Sequence, residues 1–189
     1  MESNSTMKTL YLERSTGSSR DGRWVESLDL DGVERIVVGI GPGSFAGIRA
    51  ALAFAQGFAL GRPCEVLGLP SPCAIAAQQG GNGPLAVVGD ARRGQIWIAL
   101  FDGFSLVRDV FQVNSADVSG SVPRGWPVVT PDAARLDDFL ATTFGACYRG
   151  GQTPTAEGLR AFAEANPAAL VREPRPIYLN PAVREPNMI

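Results

Sequence analysis

The sequence predicts an α/β protein made of two related lobes with mixed sheets, and two observations lead to this class. First, short continuous apolar runs at 34–40 and 65–69 flank an apolar helical segment at 45–60, an order typical of buried strands joined by a helix. Second, a glycine-rich linker at 79–84 is followed by another series of strands and then helices. We therefore expect one lobe on each side of this linker.

The first lobe, predicted at 7–80, is expected to begin with a β-hairpin. Residues 8–15 and 22–30 favour strands, and the glycine- and serine-rich segment between them favours a tight connection. The helix at 45–60 has clear end signals, because Ser44 is a good N-cap and Gly61 is a good residue for the position after the C-cap. A strand at 65–69 and a short proline-initiated helix follow it.

The second lobe, predicted at 84–189, is expected to contain strands, two helices and an extended tail. Strands are predicted at 85–89, 95–101, 106–113 and 126–130, and helices lie within 131–140 and 153–167. The proline-rich tail that follows is expected to be tethered to the protein by Ile177, Tyr178 and Leu179.

Composition excludes several classes of function. The 17 basic residues balance 19 acidic ones, so no basic field is available to hold a nucleic acid without help. The chain has no histidine, which rules out a Ser-His-Asp or Cys-His nucleophile and a histidine-ligated zinc. Three cysteines without C-x-x-C spacing, and no apolar stretch long enough to span a membrane, indicate a cytoplasmic protein with reduced thiols.

The segment GIGPGSFAG at 39–47 allows three interpretations. A strand that runs through glycines into a helix can cradle a phosphate, but the Lys-Ser/Thr pair of a Walker A loop is missing. A nucleophile elbow would centre on Ser44, but no histidine can activate it. The third interpretation is structural: glycines supply unusual backbone angles and Ser44 caps the helix.

Charged residues in the second lobe also have a functional and a structural interpretation. Asp90 and Asp102 could bind a metal ion, although a turn former and a hairpin end are the simpler assignments. Arg92 and Arg93 could contact phosphate, although a solvated hairpin tip is the favoured interpretation.

The helix at 45–60 is apolar or small nearly all round. Its two polar side chains, Arg49 and Gln56, share a narrow strip with Phe45. One side can pack on the protein's own sheet, and the other must be covered by a second helix, by the other lobe or by another protein chain. Small residues in a row favour close helix-on-helix packing.

Four segments of the chain resemble the TsaB family, formerly called YeaZ. Residues 39–61 resemble its signature G-P-G-S-F-T-G-L-R, residues 90–102 resemble D-A-R-R-G-E-V-Y, and residues 176–181 and 10–16 resemble its last motif and its opening strand. The positions that match the two specific motifs are Gly41, Pro42, Gly43 and Ser44 in the turn and Asp90, Arg92, Arg93 and Gly94 in the hairpin.

The resemblance implies two actin-like lobes of the ASKHA, ribonuclease-H-like type. It further implies a non-catalytic partner that supports TsaD, the enzyme that transfers a threonylcarbamoyl group to the adenosine beside the anticodon of tRNA. TsaE, an ATPase, joins this pair, tRNA is contacted only indirectly, and ATP or ADP enters only in that complex. No cofactor, metal or peptidase activity of its own is expected, although an M22 peptidase label is. Alone, the protein is expected to form a homodimer.

The sequence also departs from the family pattern. Ala46 replaces the usual threonine and Glu13 the usual aspartate, and the interval before the GPGSF turn is too short for the family's first helix. The N-terminal lobe is therefore predicted to be abbreviated. The predicted partner interface consists of Phe45, Ala46, Arg49, Ala50, Ala53, Phe54 and Gly57. Two alternatives stay open: a divergent homodimer that has lost TsaD binding, and a nucleotide-binding ASKHA protein.

Overall fold

A computed structural model describes residues 7–16 and 22–179, and within these ranges the predicted α/β architecture with two mixed sheets is confirmed. The strands are β1 Lys8–Leu12, β2 Val33–Gly39, β3 Glu65–Leu69, β4 Pro84–Arg92, β5 Gln95–Asp102, β6 Ser105–Asn114, β7 Val128–Thr130, β8 Tyr148–Gly151 and β9 Val171–Arg172. The helices are α1 Phe45–Ala59, α2 Pro72–Gln78, α3 Val118–Ser121, α4 Ala133–Phe144 and α5 Ala156–Ala165.

The first sheet has the order β1-β2-β3-β9. Strands β1, β2 and β3 are parallel, with Leu10 opposite Ile36 and Ile36 opposite Val66, and β9 is antiparallel to β3. Because β9 belongs to this sheet, the chain returns to its first half after α5. The predicted boundary between the lobes stays a prediction.

The predicted hairpin at the start of the chain is wrong. Residues 22–27 form a 3₁₀ turn instead of a strand, and β1 pairs in parallel with β2. The reason is tertiary: Trp24 and Leu28 pack against the apolar cluster between the first sheet and α1, so their side chains are used for packing and not for a ladder. The predicted connection at 17–21 and the end of the predicted tail at 180–189 lie outside the described residues.

The second sheet has the order β6-β5-β4-β7-β8. Strands β4, β5 and β6 form an antiparallel meander, and β7 and β8 continue the sheet in parallel beside β4. The predictions for β4 to β7 and for α1, α2, α4 and α5 are confirmed apart from small shifts at their ends. Strands β8 and β9, which are short and half-exposed or exposed, were not predicted.

Three apolar clusters hold these layers together. One lies between the first sheet and α1, a second lies between the two sheets and includes α2 and α5, and a third lies between the second sheet and α4. Fully buried Phe101 and Phe162 meet edge to face in the central cluster, 6.0 Å between ring centroids. No helix in the described ranges is both long enough and apolar enough to cross a bilayer.

Candidate functional site

The GPGS turn is built by close backbone approach. Added Cβ atoms at Gly43 and Gly47 would overlap the main chain of Ser15 and Arg14, so neither position has room for a side chain. Gly41 has a φ of +87°, which glycine adopts without strain. The turn therefore holds the segment after β1 against the start of α1.

The hydrogen bonds of the turn favour its structural interpretation. Ser44 caps α1, since its Oγ accepts a bond from the N–H of Gly47 at 3.3 Å. The N–H of Ser44 itself donates to the carbonyl of Ser15, and that of Ile48 donates to the carbonyl of Ser44. These three N–H groups are thus already paired within the chain, which weakens the phosphate-cradle interpretation.

Helix α1 has one buried side and one exposed side. Ile48, Ala51, Leu52 and Ala55 are buried against the first sheet. The solvent-exposed side, which we call the α1 face, consists of Phe45, Ala46, Arg49, Ala50, Ala53, Gln56 and Gly57. Six of the seven predicted contact residues lie on this face.

Phe54, the seventh predicted contact residue, is half-buried and packs within the chain. Its ring lies 5.5 Å from that of Trp24 and 6.2 Å from that of Phe58. The guanidinium of Arg14 lies over the Trp24 ring at 4.8 Å. The segment around Trp24 therefore covers one flank of α1 and leaves the α1 face exposed.

The tail of the chain completes one end of the α1 face. The N–H of Ile177 donates to the carbonyl of Ile40 at 2.9 Å, which fixes the tail beside the end of β2. Tyr178 then stacks on Phe45 with 5.3 Å between ring centroids, and the Arg49 guanidinium lies 4.9 Å from the Phe45 ring on the same helix. Phe45 and Tyr178 are each about half exposed.

The signature hairpin carries a network of ion pairs. Arg135 Nε lies 2.6 Å from Asp90 Oδ2, and Arg92 lies 3.4 Å from the same oxygen. The N–H of Asp90 donates to Asp132 Oδ2 at 2.9 Å. Asp90 is therefore a paired carboxylate that ties the end of β4 to the start of α4.

The suggested metal pair of Asp90 and Asp102 does not come together. Asp102 is opposite Pro84, whereas Asp90 is opposite Ile96 at the other end of the same ladder. Six residues of strand separate the two carboxylates by roughly 20 Å. The described residues contain no cluster of three His, Cys, Asp or Glu side chains suited to a metal ion.

The turn at Arg92 and Arg93 is conformationally unusual. Both residues have positive φ angles, 69° and 56°, and Gly94 follows with 74°. Such angles fit the tight antiparallel connection between β4 and β5, because their twist matches that of the strands. The hairpin-tip interpretation of the two arginines agrees with this geometry, and both are exposed.

A cleft of about 1000 Å³ lies between the GPGS turn and the start of α4, and it is lined by Ser15, Ser44 and Ser71 on one side and by Asp90 and Arg135 on the other. Just behind its wall is a feature that sequence reasoning missed. The carboxyl group of Glu13 is buried, its Oε1 accepts a 2.6 Å bond from the N–H of Ser15, and burial raises its pKa. The sequence contained one signal for this buried carboxyl group, namely a charged residue directly after an apolar strand.

Part of the chain is similar in sequence to a known protein family and to individual known proteins. The model of the TsaD family, tRNA N6-adenosine threonylcarbamoyltransferase, matches residues 26–118. Uncharacterized proteins of Mycobacterium tuberculosis and Mycobacterium bovis are 42% identical over 84 residues, which is 43% of this chain. The match spans only 38% of the length of these relatives.

Two solved structures share the fold. One is described as an uncharacterized protein with similarity to peptidase YEAZ from Pseudomonas aeruginosa, with a TM-score of 0.70 and 18% identity over 93% of this chain and 100% of that one. The other, YeaZ from Pseudomonas aeruginosa, has a TM-score of 0.61 and 21% identity over 83% of this chain and 79% of that one.

The class is thus a YeaZ-like α/β protein with a shortened actin-like fold. Together with the family match, the shared fold supports the predicted resemblance to TsaB/YeaZ-like members of the TsaD superfamily. At these levels of identity the solved structures establish the fold and leave the activity open.

Proposed function

We propose that this chain is a non-catalytic, TsaB-like partner of a TsaD-family enzyme in tRNA modification, and that the α1 face is its contact surface. The exposed apolar side of α1 carries the proposal. Water-exposed helices normally present charged residues, whereas this face has Arg49 as its one charged residue, among alanine, glycine, glutamine and phenylalanine.

The chemistry of the other motifs supports a role without catalysis. Ser44 is used as a helix cap, and Asp90 is paired with arginines. The chain also lacks the histidine that an activated serine or cysteine would need. We extend the proposal to a cytoplasmic complex in which TsaE and ATP or ADP join through the enzyme and tRNA is contacted only indirectly.

Ala53 lies in the middle of the α1 face and provides the test. Ala53→Glu places a carboxylate where close helix packing is expected, and we expect the Kd for the TsaD-family enzyme of the same organism to rise at least about tenfold. Ala141→Glu is the matched control, because Ala141 is exposed on α4, on the outside of the second sheet. Calorimetric titration measures both. Native protein that does not bind at micromolar concentration would contradict the proposal.

The same face supports a second candidate, a structural homodimer, because a second copy could also cover an apolar helix. Light scattering on the isolated protein separates the two candidates. A dimer that the enzyme cannot dissociate favours the homodimer, and a complex of one copy with the enzyme favours the partner role.

A further inference from the structure

The segment after β9, residues 174–179, has neither helical nor strand structure, and its last three residues line the cleft. We call this segment the strap. Pro174 and Pro176 have no N–H to donate, so the strap cannot continue as a regular strand of the first sheet. Among the described residues, its one hydrogen bond between main-chain groups joins the N–H of Ile177 to the carbonyl of Ile40. The strap is therefore held mainly by its side chains.

Three apolar side chains anchor the strap to different parts of the core. Buried Pro174 lies where β3 has only a glycine, since an added Cβ on Gly68 would be 2.7 Å from the Cβ atom of Pro174. Ile177 packs against the cluster between the first sheet and α1, and Leu179 packs against the cluster between the two sheets. Both are only half-buried, so each contributes only part of the stabilisation that a core residue gives.

The strap contacts the chain immediately before and immediately after the GPGS turn. Ile177 is bonded to Ile40, which precedes the turn, and the ring of Tyr178 lies 5.3 Å from that of Phe45, which follows it. Ser44, the last residue of the turn, lines the same cleft as the strap. Release of the strap would therefore remove one wall of the cleft together with two contacts that hold the turn in place.

The strap also has the features of a segment that opens locally. Few main-chain hydrogen bonds and incomplete burial allow a segment to open at a lower free energy than the core. Glu173, just before the strap, has a φ of +54°, which is unfavourable for a residue with a side chain and can be relieved when the strap leaves. Strand β5 is the opposite case, because its residues 96–101 are buried and it pairs with a strand on each side.

We infer that the strap is a releasable cover that controls access to the cleft. When docked, it closes one side of the cleft, and when released, it opens the cleft and loosens the GPGS turn. A molecule that binds only the open cleft would shift the population toward the released form. The inference concerns the isolated chain and does not depend on the proposed function.

Hydrogen exchange of the native protein, followed by NMR, tests whether the strap opens by itself. The amide of Ile177 reports release, because its N–H donates to Ile40, and the amide of Ile98 in the buried centre of β5 reports opening of the core. We expect Ile177 to exchange at least about tenfold faster than Ile98 and more slowly than an unstructured amide. Equal rates for the two amides, or an unstructured rate for Ile177, would overturn the inference.

Two variants test whether the strap covers the cleft. Ile177→Pro removes the donor N–H and Leu179→Ser removes an apolar anchor, whereas Leu60→Ser is the matched control, because Leu60 is 81% exposed just after α1. Mass spectrometry follows hydrogen exchange, and the fluorescence of 8-anilinonaphthalene-1-sulfonate reports exposed apolar surface. We expect both strap variants to speed exchange at 40–48 at least about tenfold, to raise the dye fluorescence and to leave 95–102 unchanged. The control should behave like the native protein.

Two results with the variants would contradict the inference. Native-like exchange at 40–48 in both strap variants would show that the strap does not hold the turn. Equal acceleration at 40–48 and 95–102 would show that the whole chain opens when the strap is lost, so that the strap is part of the core and not a cover. The measurement on the native protein decides the inference even if both variants fold poorly.

Discussion

Helices α1 and α4 occupy equivalent places in the two sheets but have opposite outer surfaces. Each connects the second and third of three parallel strands, in the units β2-α1-β3 and β7-α4-β8. The exposed side of α4 carries Arg135, Asp137, Asp138 and Thr142, whereas that of α1 is mostly alanine, glycine and phenylalanine. The fold therefore sets which side of the helix is buried, and the sequence alone decides whether the other side suits water or a protein.

The first of the three parallel strands, β1 in one sheet and β4 in the other, differs as well. Strand β4 has β5 on its outer side, whereas no described strand pairs with the outer side of β1. A carboxylate lies at the end of each strand: Asp90 is paired with arginines, and Glu13 accepts a hydrogen bond from the N–H of Ser15. The carboxylate of Glu13 thus lies in a less polar environment than that of Asp90.

The largest expected effect on the free energy of unfolding comes from the buried sides of α1 and α4. Ile48→Ala in α1 and Leu140→Ala in α4 each remove a side chain that is at most 2% exposed, so each should lower the free energy of unfolding by about 2–5 kcal/mol. Urea denaturation measures both. A loss below about 1 kcal/mol for Ile48→Ala alone would show that α1 is held mainly by contacts other than those with the first sheet.

A smaller effect on stability is expected at the contact between α2 and α5. A Cβ atom on Gly158 of α5 would lie 2.5 Å from the carbonyl oxygen of Ala74 in α2, so Gly158→Ala should destabilise the protein by about 1–3 kcal/mol. Gly57→Ala is the matched control, since an added Cβ on the exposed face of α1 meets nothing within 4 Å. The control should stabilise the helix by roughly 0.5–1 kcal/mol. Equal effects in thermal unfolding would contradict the close α2–α5 contact.

The smallest expected effect on stability concerns the two carboxylates, Glu13 and Asp90. The pKa of Glu13 is raised from its ordinary value of 4.5 by burial, so the folded state holds the proton more tightly than the unfolded state. Its contribution to stability is complete below pH 4.5 and is lost as the pH rises through the higher pKa of the folded state. Glu13→Gln, which cannot lose a proton, should therefore gain stability relative to the native protein as the pH rises.

Unfolding at a series of pH values measures the Glu13 prediction. Asp90→Asn is the control, because it removes a charge that is paired with arginines and should destabilise the protein at neutral pH. A difference between Glu13→Gln and native protein that does not change with pH would show that Glu13 titrates alike in the folded and unfolded states.

The elements that the sequence predicted correctly are those whose signals are local. The ends of α1 could be predicted because Ser44 and Gly61 act within one turn of the helix, and β2 and β3 could be predicted from short apolar runs. The missing polar side of α1 was also visible in the sequence. Its exposure in the folded chain depends on what packs nearby, which the sequence does not state.

The misplaced elements depend on distant contacts. The alternating apolar residues at 22–30 fit a strand, but Trp24 packs on Phe54, far away in the sequence. The same contact leaves Phe54 half-buried at the flank of α1. Strand β9 is only two residues long and exists because β3 has a free edge beside it.

The stacking of Tyr178 on Phe45 has a consequence for the time at which the α1 face becomes complete. The ribosome makes Phe45 well before Tyr178, so a growing chain can form β1, β2, β3 and α1 before the tail is available. Until Ile177 is bonded to Ile40, one end of the surface lacks its second aromatic ring. The α1 face is therefore complete only after the strands of both sheets have been synthesised.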